Sequence, residues 1–217
     1  MKTKKAIIFD LDGVIVDTAK YHYLAWRKIA NDLGFDFSKE ENEHLKGVSR
    51  VQSLDFLLKK GKVKLNQKEK DKLLIAKNEH YLSLISKMDE SELLTGIKEL
   101  LTHLHNDKIP FALGSASKNA RRILDTLHLT DLFAAIIDGT NVTKAKPDPE
   151  VFVLAARKMC YAPKNCIVIE DSKAGIEAAN NVGMTSIGIG DNKVLKDADY
   201  ILDSTDKLTI DFIKNLL

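Results

Sequence analysis

The chain has 217 residues, 44% of them hydrophobic and 29% charged, enough to bury one full core and to carry an insertion. Thirty-three Lys and Arg against 31 Asp and Glu leave a net charge of +2, which excludes nucleic-acid recognition by a global basic field and makes any anion recognition local. Residues 1–5 are too few for a signal peptide or membrane span, so a cytoplasmic protein without a membrane partner is expected, and Cys160 and Cys166 read as reduced, packed thiols.

The first element is the apolar run Ala6–Phe9, read as a strand, and it ends on Asp10-Leu11-Asp12-Gly13. A carboxylate at the C-terminal end of a strand, followed by a glycine that lets the backbone turn, can hold a divalent cation or attack an electrophile. An Asp-rich turn would have the same spelling. No convincing strand follows until Phe111. Instead apolar residues recur at helical spacing, Tyr21, Leu24, Ala25, Ile29 and Leu33, then Leu73, Ala76, Tyr81, Leu84 and Ile85, with Gly34, Gly47 and Gly61 as breaks. This predicts an all-helical insert over 18–90, leaving 1–17 and 91–217 as the core domain.

From there, short apolar runs at 111–113, 134–137, 166–169, 186–189 and Tyr200–Leu202 alternate with helical patterns. Such alternation argues for an α/β fold: a Rossmann-like parallel sheet with helices on both faces, here with a helical domain inserted after the first strand. A last amphipathic helix is expected over 208–217. Three polar groups fall at strand ends or in loops. Ser115-Ala116-Ser117-Lys118-Asn119 follows the second strand and enters a helix over 120–127, which makes an anion site or, for one of these residues, a helix cap. Lys146 lies in Lys144-Ala145-Lys146-Pro147-Asp148-Pro149, where prolines stiffen the loop and can fix the ammonium over a phosphate. Glu170-Asp171 form a second acidic pair after a strand, and two such pairs without adjacent arginines suit a hard cation with oxygen ligands.

Strand–Asp-x-Asp-Gly, strand–Ser, loop Lys and strand–Glu-Asp, in this order, resemble the haloacid dehalogenase-like phosphotransferase superfamily. That resemblance implies that Asp10 is phosphorylated and that Asp12 is general acid/base, its backbone carbonyl helping to hold magnesium. It further implies that Ser115 and Lys146 hold the transferring phosphoryl group, that Glu170 and Asp171 complete the site for one Mg²⁺, and that the insert is a mobile cap. The chemistry is sensible, because a carboxylate attacks phosphorus only when cations offset the repulsion between anions.

A finer pattern, Asp10-Leu11-Asp12-Gly13-Val14-Ile15, Thr18, Tyr21-His22, Ala25-Trp26, Leu45-Lys46-Gly47-Val48-Ser49-Arg50, Lys77-Asn78 and Ser115 to Asn119, is similar to the β-phosphoglucomutase family within it. By that resemblance the substrates are sugar phosphates: β-D-glucose 1-phosphate and glucose 6-phosphate interconvert through β-glucose 1,6-bisphosphate. Arg50, Ser117 and Asn119 would bind the non-transferring phosphate. Thr18, His22, Lys46, Gly47, Val48, Ser53 and Lys77 would line the sugar and hinge, with His22 supporting Asp12, and Trp26 and Ala116 completing the substrate-binding set. A monomer is the expected state. Other readings are a sugar-phosphate phosphatase with the same core residues, a mutase for another sugar phosphate, and a phospho-ligand sensor without catalysis.

Overall fold

The computed structural model describes residues 5–45 and 48–217. Strands β1 (Ala6–Phe9), β2 (Phe111–Gly114), β3 (Ala135–Ile137), β4 (Cys166–Glu170), β5 (Thr185–Ile189) and β6 (Tyr200–Leu202) form one parallel sheet in the order β3-β2-β1-β4-β5-β6. Three inner strands, β1 (Ala-Ile-Ile-Phe), β2 (Phe-Ala-Leu-Gly) and β4 (Cys-Ile-Val-Ile-Glu), are buried throughout, as expected of parallel strands covered on both faces. Edge strands β3 and β6 are partly exposed. The helices are α1 (Ala19–Asp32), α2 (Lys39–Glu43), α3 (Arg50–Gly61), α4 (Gln67–Ile85), α5 (Ile97–Asn106), α6 (Ala120–Thr126), α7 (Glu150–Lys158), α8 (Lys173–Asn180) and α9 (Ile210–Leu216).

Chain order places β2 on one side of β1 and β4 on the other, with Ile8 in register with both Ala112 and Val168. The direction of winding therefore reverses between β1 and β4. At such a switch point the C-terminal strand ends open a crevice, which is where α/β sheets take ligands. Alternate residues of the strands feed opposite faces: Ala6, Ile8, Ala112 and Val168 pack with Val151, Phe152 and Ala155 of α7 and Ala178 and Ala179 of α8. Ring–ring contacts join Phe9 to Phe111 and Phe111 to Phe133, edge to face at 5.9 and 4.9 Å.

The described chain divides into two compact units, one formed by residues up to Asp17 together with Asp89–Leu217, the other by Thr18–Met88. The second unit holds α1 to α4 around Trp26, Ile29, Phe37, Leu54, Leu57 and Leu58. Burying each of these side chains contributes roughly 1.5–3 kcal/mol. Helices α2, α3 and α4 begin where the sequence supplies reciprocal caps, Ser38 with Glu41, Ser49 with Gln52, and Asn66 with Glu69, whereas Thr18 ahead of α1 makes no side-chain cap bond. Gly34 (φ +87°) follows α1 and Gly61 ends α3, while Gly47 lies outside the described residues.

Several expectations need correction. Leu24 is 44% exposed rather than part of the buried stripe of α1. The buried stripe of α4 is Lys77, Tyr81 and Ile85, with Ala76 exposed, because the Lys77 ammonium is accommodated between the rings of Trp26 and Tyr81 at 4.9 and 4.6 Å. Cys166 is buried but Cys160 is exposed, in a left-handed backbone conformation just past α7. The last helix starts at Ile210, since a 3₁₀ turn over Thr205–Lys207 precedes it and the Thr209 side chain caps it. Among the described residues, no helix is long and apolar enough to cross a membrane.

Candidate active site

Asp10 extends the sheet by one bond beyond β1, its N–H donating to the Ile169 carbonyl at 2.9 Å. This brings the carboxylate to the mouth of the β1/β4 crevice, where β4 ends in Glu170 and Asp171 follows it. The turn after Asp10 closes on itself, with Ile15 and Val16 N–H groups bonding to the Leu11 carbonyl, and half-buried Asp12 sits within it. Lys146 enters from the loop before α7 and is joined to the following Pro147 by a cis peptide. Its ammonium donates to Asp10 Oδ1 at 2.5 Å and Glu170 Oε1 at 2.6 Å and lies 4.7 Å from the Phe152 ring centre. A loop lysine is ordinarily solvated, yet this one is 2% exposed, because two carboxylates and a ring replace its water.

The electrostatics follow from that burial. Desolvation pushes the Asp10 carboxyl up to about 6, against the pull of Lys146 and with the added repulsion of Glu170. Burial works to lower the Lys146 ammonium, but the Asp10 and Glu170 charges outweigh it and hold the lysine above its ordinary range. Glu170 is fixed from its other oxygen: Oε2 accepts from the Ser172 N–H at 2.7 Å and the Ser172 hydroxyl at 2.8 Å. Ser172 in turn caps α8 through the Gly175 N–H. Sequence reasoning missed Ser172; a Ser three residues ahead of Gly175 at a helix start was the available signal.

Asp10, Glu170 and Asp171 each offer an oxygen within 4.8 Å of the others. All-oxygen carboxylate donors suit a hard divalent cation such as Mg²⁺, and one ammonium among three carboxylates leaves negative charge for it to balance. The chain also clears space for these donors. A Cβ on Gly13 (φ +78°) would fall 2.1 Å from Asp171 Oδ2, and one on Gly175 would fall 1.9 Å from Glu170 Oε1. At the end of β2, buried Ser115 accepts the Ser117 N–H at 3.1 Å and Ser117 accepts the Asn119 N–H at 3.3 Å. Two successive hydroxyl–amide turns thus shape 115–119. Asn119 occupies the cap position of α6 without a side-chain cap bond, so the expected cap is replaced by the Ser117 turn. Ala116 is pinned by the loop after β3, where a Cβ on Gly139 would meet its carbonyl at 2.3 Å.

The helical unit carries a second polar cluster. His22 Nδ1 and Lys77 Nζ are 2.9 Å apart, and the His22 and Tyr81 rings lie 4.3 Å apart, tilted by 30°. An ammonium only donates, so Nδ1 accepts and the neutral ring carries its proton on Nε2. Burial, then Lys77 and Arg50, hold the His22 pKa well below its ordinary value. Trp26 is buried on the same face of α1, and Thr18 is buried just before that helix. Half-buried Arg50 opens α3, and among the described residues no carboxylate pairs with it; burial lowers its pKa. Ser53 is turned inward to the Ser49 carbonyl at 3.1 Å, and Val48 packs on the helical core. Lys46 and Gly47 lie outside the described residues.

Comparison with known proteins agrees with this geometry. A family model described as haloacid dehalogenase-like hydrolase matches residues 7–189. The beta-phosphoglucomutase of Bacillus subtilis (strain 168) is 44% identical over 211 residues, 96% of this chain and 93% of that one. A crystal structure of beta-phosphoglucomutase from Clostridium difficile superposes with a TM-score of 0.93 at 43% identity, covering 98% of this chain and 96% of the other. A phosphorylated carbohydrates phosphatase of Thermotoga maritima is 28% identical, covering 91% of this chain and 92% of that protein. The chain belongs to the haloacid dehalogenase-like hydrolase family, on its β-phosphoglucomutase branch.

Proposed function

We propose that the chain is a magnesium-dependent β-phosphoglucomutase that interconverts β-D-glucose 1-phosphate and glucose 6-phosphate through β-glucose 1,6-bisphosphate. The observation that carries this reading over a phosphatase is the 44% identity, along nearly the whole of both chains, to a protein named for the mutase, against 28% to one named for a phosphatase. Asp10 is the nucleophile, and its phosphorylated form passes the group to the sugar 6-hydroxyl. Asp12 takes the proton of that hydroxyl, and returns one to the anomeric oxygen when Asp10 accepts the phosphoryl group from position 1. Lys146 neutralises charge on the phosphoryl oxygens and holds Asp10 aimed; Ser115 receives the same group.

Asp10, Glu170 and Asp171, with the Asp12 carbonyl, would hold Mg²⁺. When bound, the ion supplies charge neutralisation that lets anionic nucleophile and anionic phosphate meet. Residues 18–90 serve as the specificity-bearing cap. Arg50 there, with Ser117 and Asn119 of the core domain, binds the phosphate that is not transferred, which lets the bisphosphate be used in either orientation. Thr18, Trp26, Lys46, Gly47, Val48, Ser53 and Lys77 contribute to the sugar-binding set, and His22 is a neutral donor through Nε2.

The test is to incubate the protein with Mg²⁺, β-glucose 1-phosphate and trace β-glucose 1,6-bisphosphate and follow glucose 6-phosphate against free phosphate. Glucose 6-phosphate as the main product supports the reading. Free phosphate as the main product would mean a phosphatase, and absence of turnover would mean a sensor. Running the α-anomer in parallel tests the anomer assignment.

A further inference from the structure

Lys146 belongs to a loop, and a loop lysine aimed at two carboxylates needs something to hold its backbone. The carboxylate of Glu150, the first residue of α7, reaches back across the loop. One oxygen, Oε2, accepts both the Thr143 N–H at 2.8 Å and the Lys144 N–H at 2.7 Å. The Thr143 hydroxyl adds bonds to both oxygens at 3.1 and 3.3 Å. Downstream of Lys146, Asp148 closes the loop from the other side: its N–H donates to the Ala145 carbonyl at 3.0 Å, and its Oδ1 accepts the Glu150 N–H at 3.0 Å. Two residues further along the helix, the Phe152 ring lies 4.7 Å from the Lys146 ammonium. The first turn of α7 therefore grips the loop upstream of Lys146 with Glu150 and contacts the ammonium with Phe152.

We propose that Glu150 is a positioning residue for Lys146: by fixing the 143–144 amides it sets the path on which the ammonium reaches Asp10 and Glu170. Glu150 touches no reacting atom. The functional consequence rests on the mutase reading, in which Lys146 serves the transferring phosphoryl group. Because both backbone bonds converge on one oxygen, an amide oxygen can replace it, so hydrogen bonding and not charge is what the loop requires.

The test compares Glu150→Ala with Glu150→Gln in the full-length protein. Two readouts are used: mutase kinetics, and acetylation of Lys146 by an amine-directed ester, quantified by mass spectrometry against exposed Lys164. In the alanine variant kcat should fall about 10–100-fold with KM changed less than about threefold, as a mis-set catalytic group does. Lys146 acetylation should rise about tenfold or more as the ammonium gains access to water. Glu150→Gln should return both values to within about threefold of the wild type, because its Oε1 preserves the two amide bonds. A wild-type kcat and unchanged Lys146 labelling in Glu150→Ala would overturn the proposal, as would a glutamine variant as impaired as the alanine one. Should the alanine variant not fold, Glu150→Met, which keeps the aliphatic stem, carries the same two readouts. If the wild type turns over no sugar phosphate, the mutase reading fails, while the labelling contrast still decides the positioning role.

Discussion

Lys146→Met removes the cation between two carboxylates while keeping the length of the side chain. The Lys146 ammonium lies 2.5 Å from Asp10 and 2.6 Å from Glu170, and the paired side chains are 1–9% exposed, so solvent screens this network little. Breaking a buried pair by deleting one partner costs about 3–5 kcal/mol, since the remaining charge is stranded in a poor dielectric. For a chain of this size that corresponds to a fall in Tm of roughly 6–20 °C. Urea unfolding of the wild type, Lys146→Met, Glu170→Gln and the double variant, in the presence of a chelator, closes a double-mutant cycle. A coupling of about 1.5–3 kcal/mol between Lys146 and Glu170, unchanged between low and high salt, is expected for a contact of this burial. A coupling under about 0.5 kcal/mol, or one that disappears with salt, would refute the description of Lys146 as a desolvated bridge.

The other outcomes follow from the same geometry. Gly13→Ala forces a Cβ toward Asp171 Oδ2 in a backbone conformation that L side chains rarely adopt; it should destabilise the fold by about 1–3 kcal/mol. It should also weaken Mg²⁺ binding at least tenfold by calorimetry, and unchanged affinity would remove Asp171 from the donor set. Arg50→Ala should depress glucose 6-phosphate formation while phosphorylation of Asp10 persists, and mutase turnover equal to the wild type would show that Arg50 does not bind the second phosphate. His22 stays neutral in the folded protein, whereas the unfolded chain takes up a proton below its ordinary pKa of 6.5. The unfolded state then binds more protons, so the stability His22 contributes above pH 6.5 is lost as pH falls through that value. Unfolding free energies of the wild type minus those of His22→Gln should therefore decline by roughly 1 kcal/mol per pH unit from pH 6.5 toward 5, and parallel curves would contradict a buried neutral ring.

The strands were legible because parallel strands covered on both faces are spelled as unbroken apolar runs; Ala6–Phe9 and Tyr200–Leu202 are located to the residue. What no run of residues states is which strands become neighbours. Asp10 and Glu170 meet only because β4 lies beside β1, 160 residues away in the chain. The motif order therefore reads as a family likeness, while the Lys146 bridge is a fact of topology. Charged side chains that are buried were the hardest to foresee. Periodicity treats every lysine as solvated, and so it puts exposed Ala76 rather than buried Lys77 on the inner stripe of α4. Ser172 and Glu150 escaped for another reason: at helix starts they look like ordinary caps and dipole partners, and their second function, holding Glu170 and the 143–144 amides, depends on loops folding back.

The two segments that frame the helical unit are themselves tied together within the sheet-bearing unit. Val16 pairs with Leu93 in an antiparallel bridge, the Leu94 N–H bonds to the Ile15 carbonyl at 3.0 Å, and the Asp17 N–H bonds to the Glu92 carbonyl at 3.3 Å. The exit and re-entry points thus form a small two-stranded clasp, so the sheet sees the 71 residues of Thr18–Met88 as a loop whose ends are already closed. A closed-ended loop is an exchangeable cassette: any folded module with adjacent termini can be spliced at the clasp without disturbing the strand order beneath it. New substrate preferences could in this way be tried on an unaltered catalytic platform by swapping one contiguous segment of the gene.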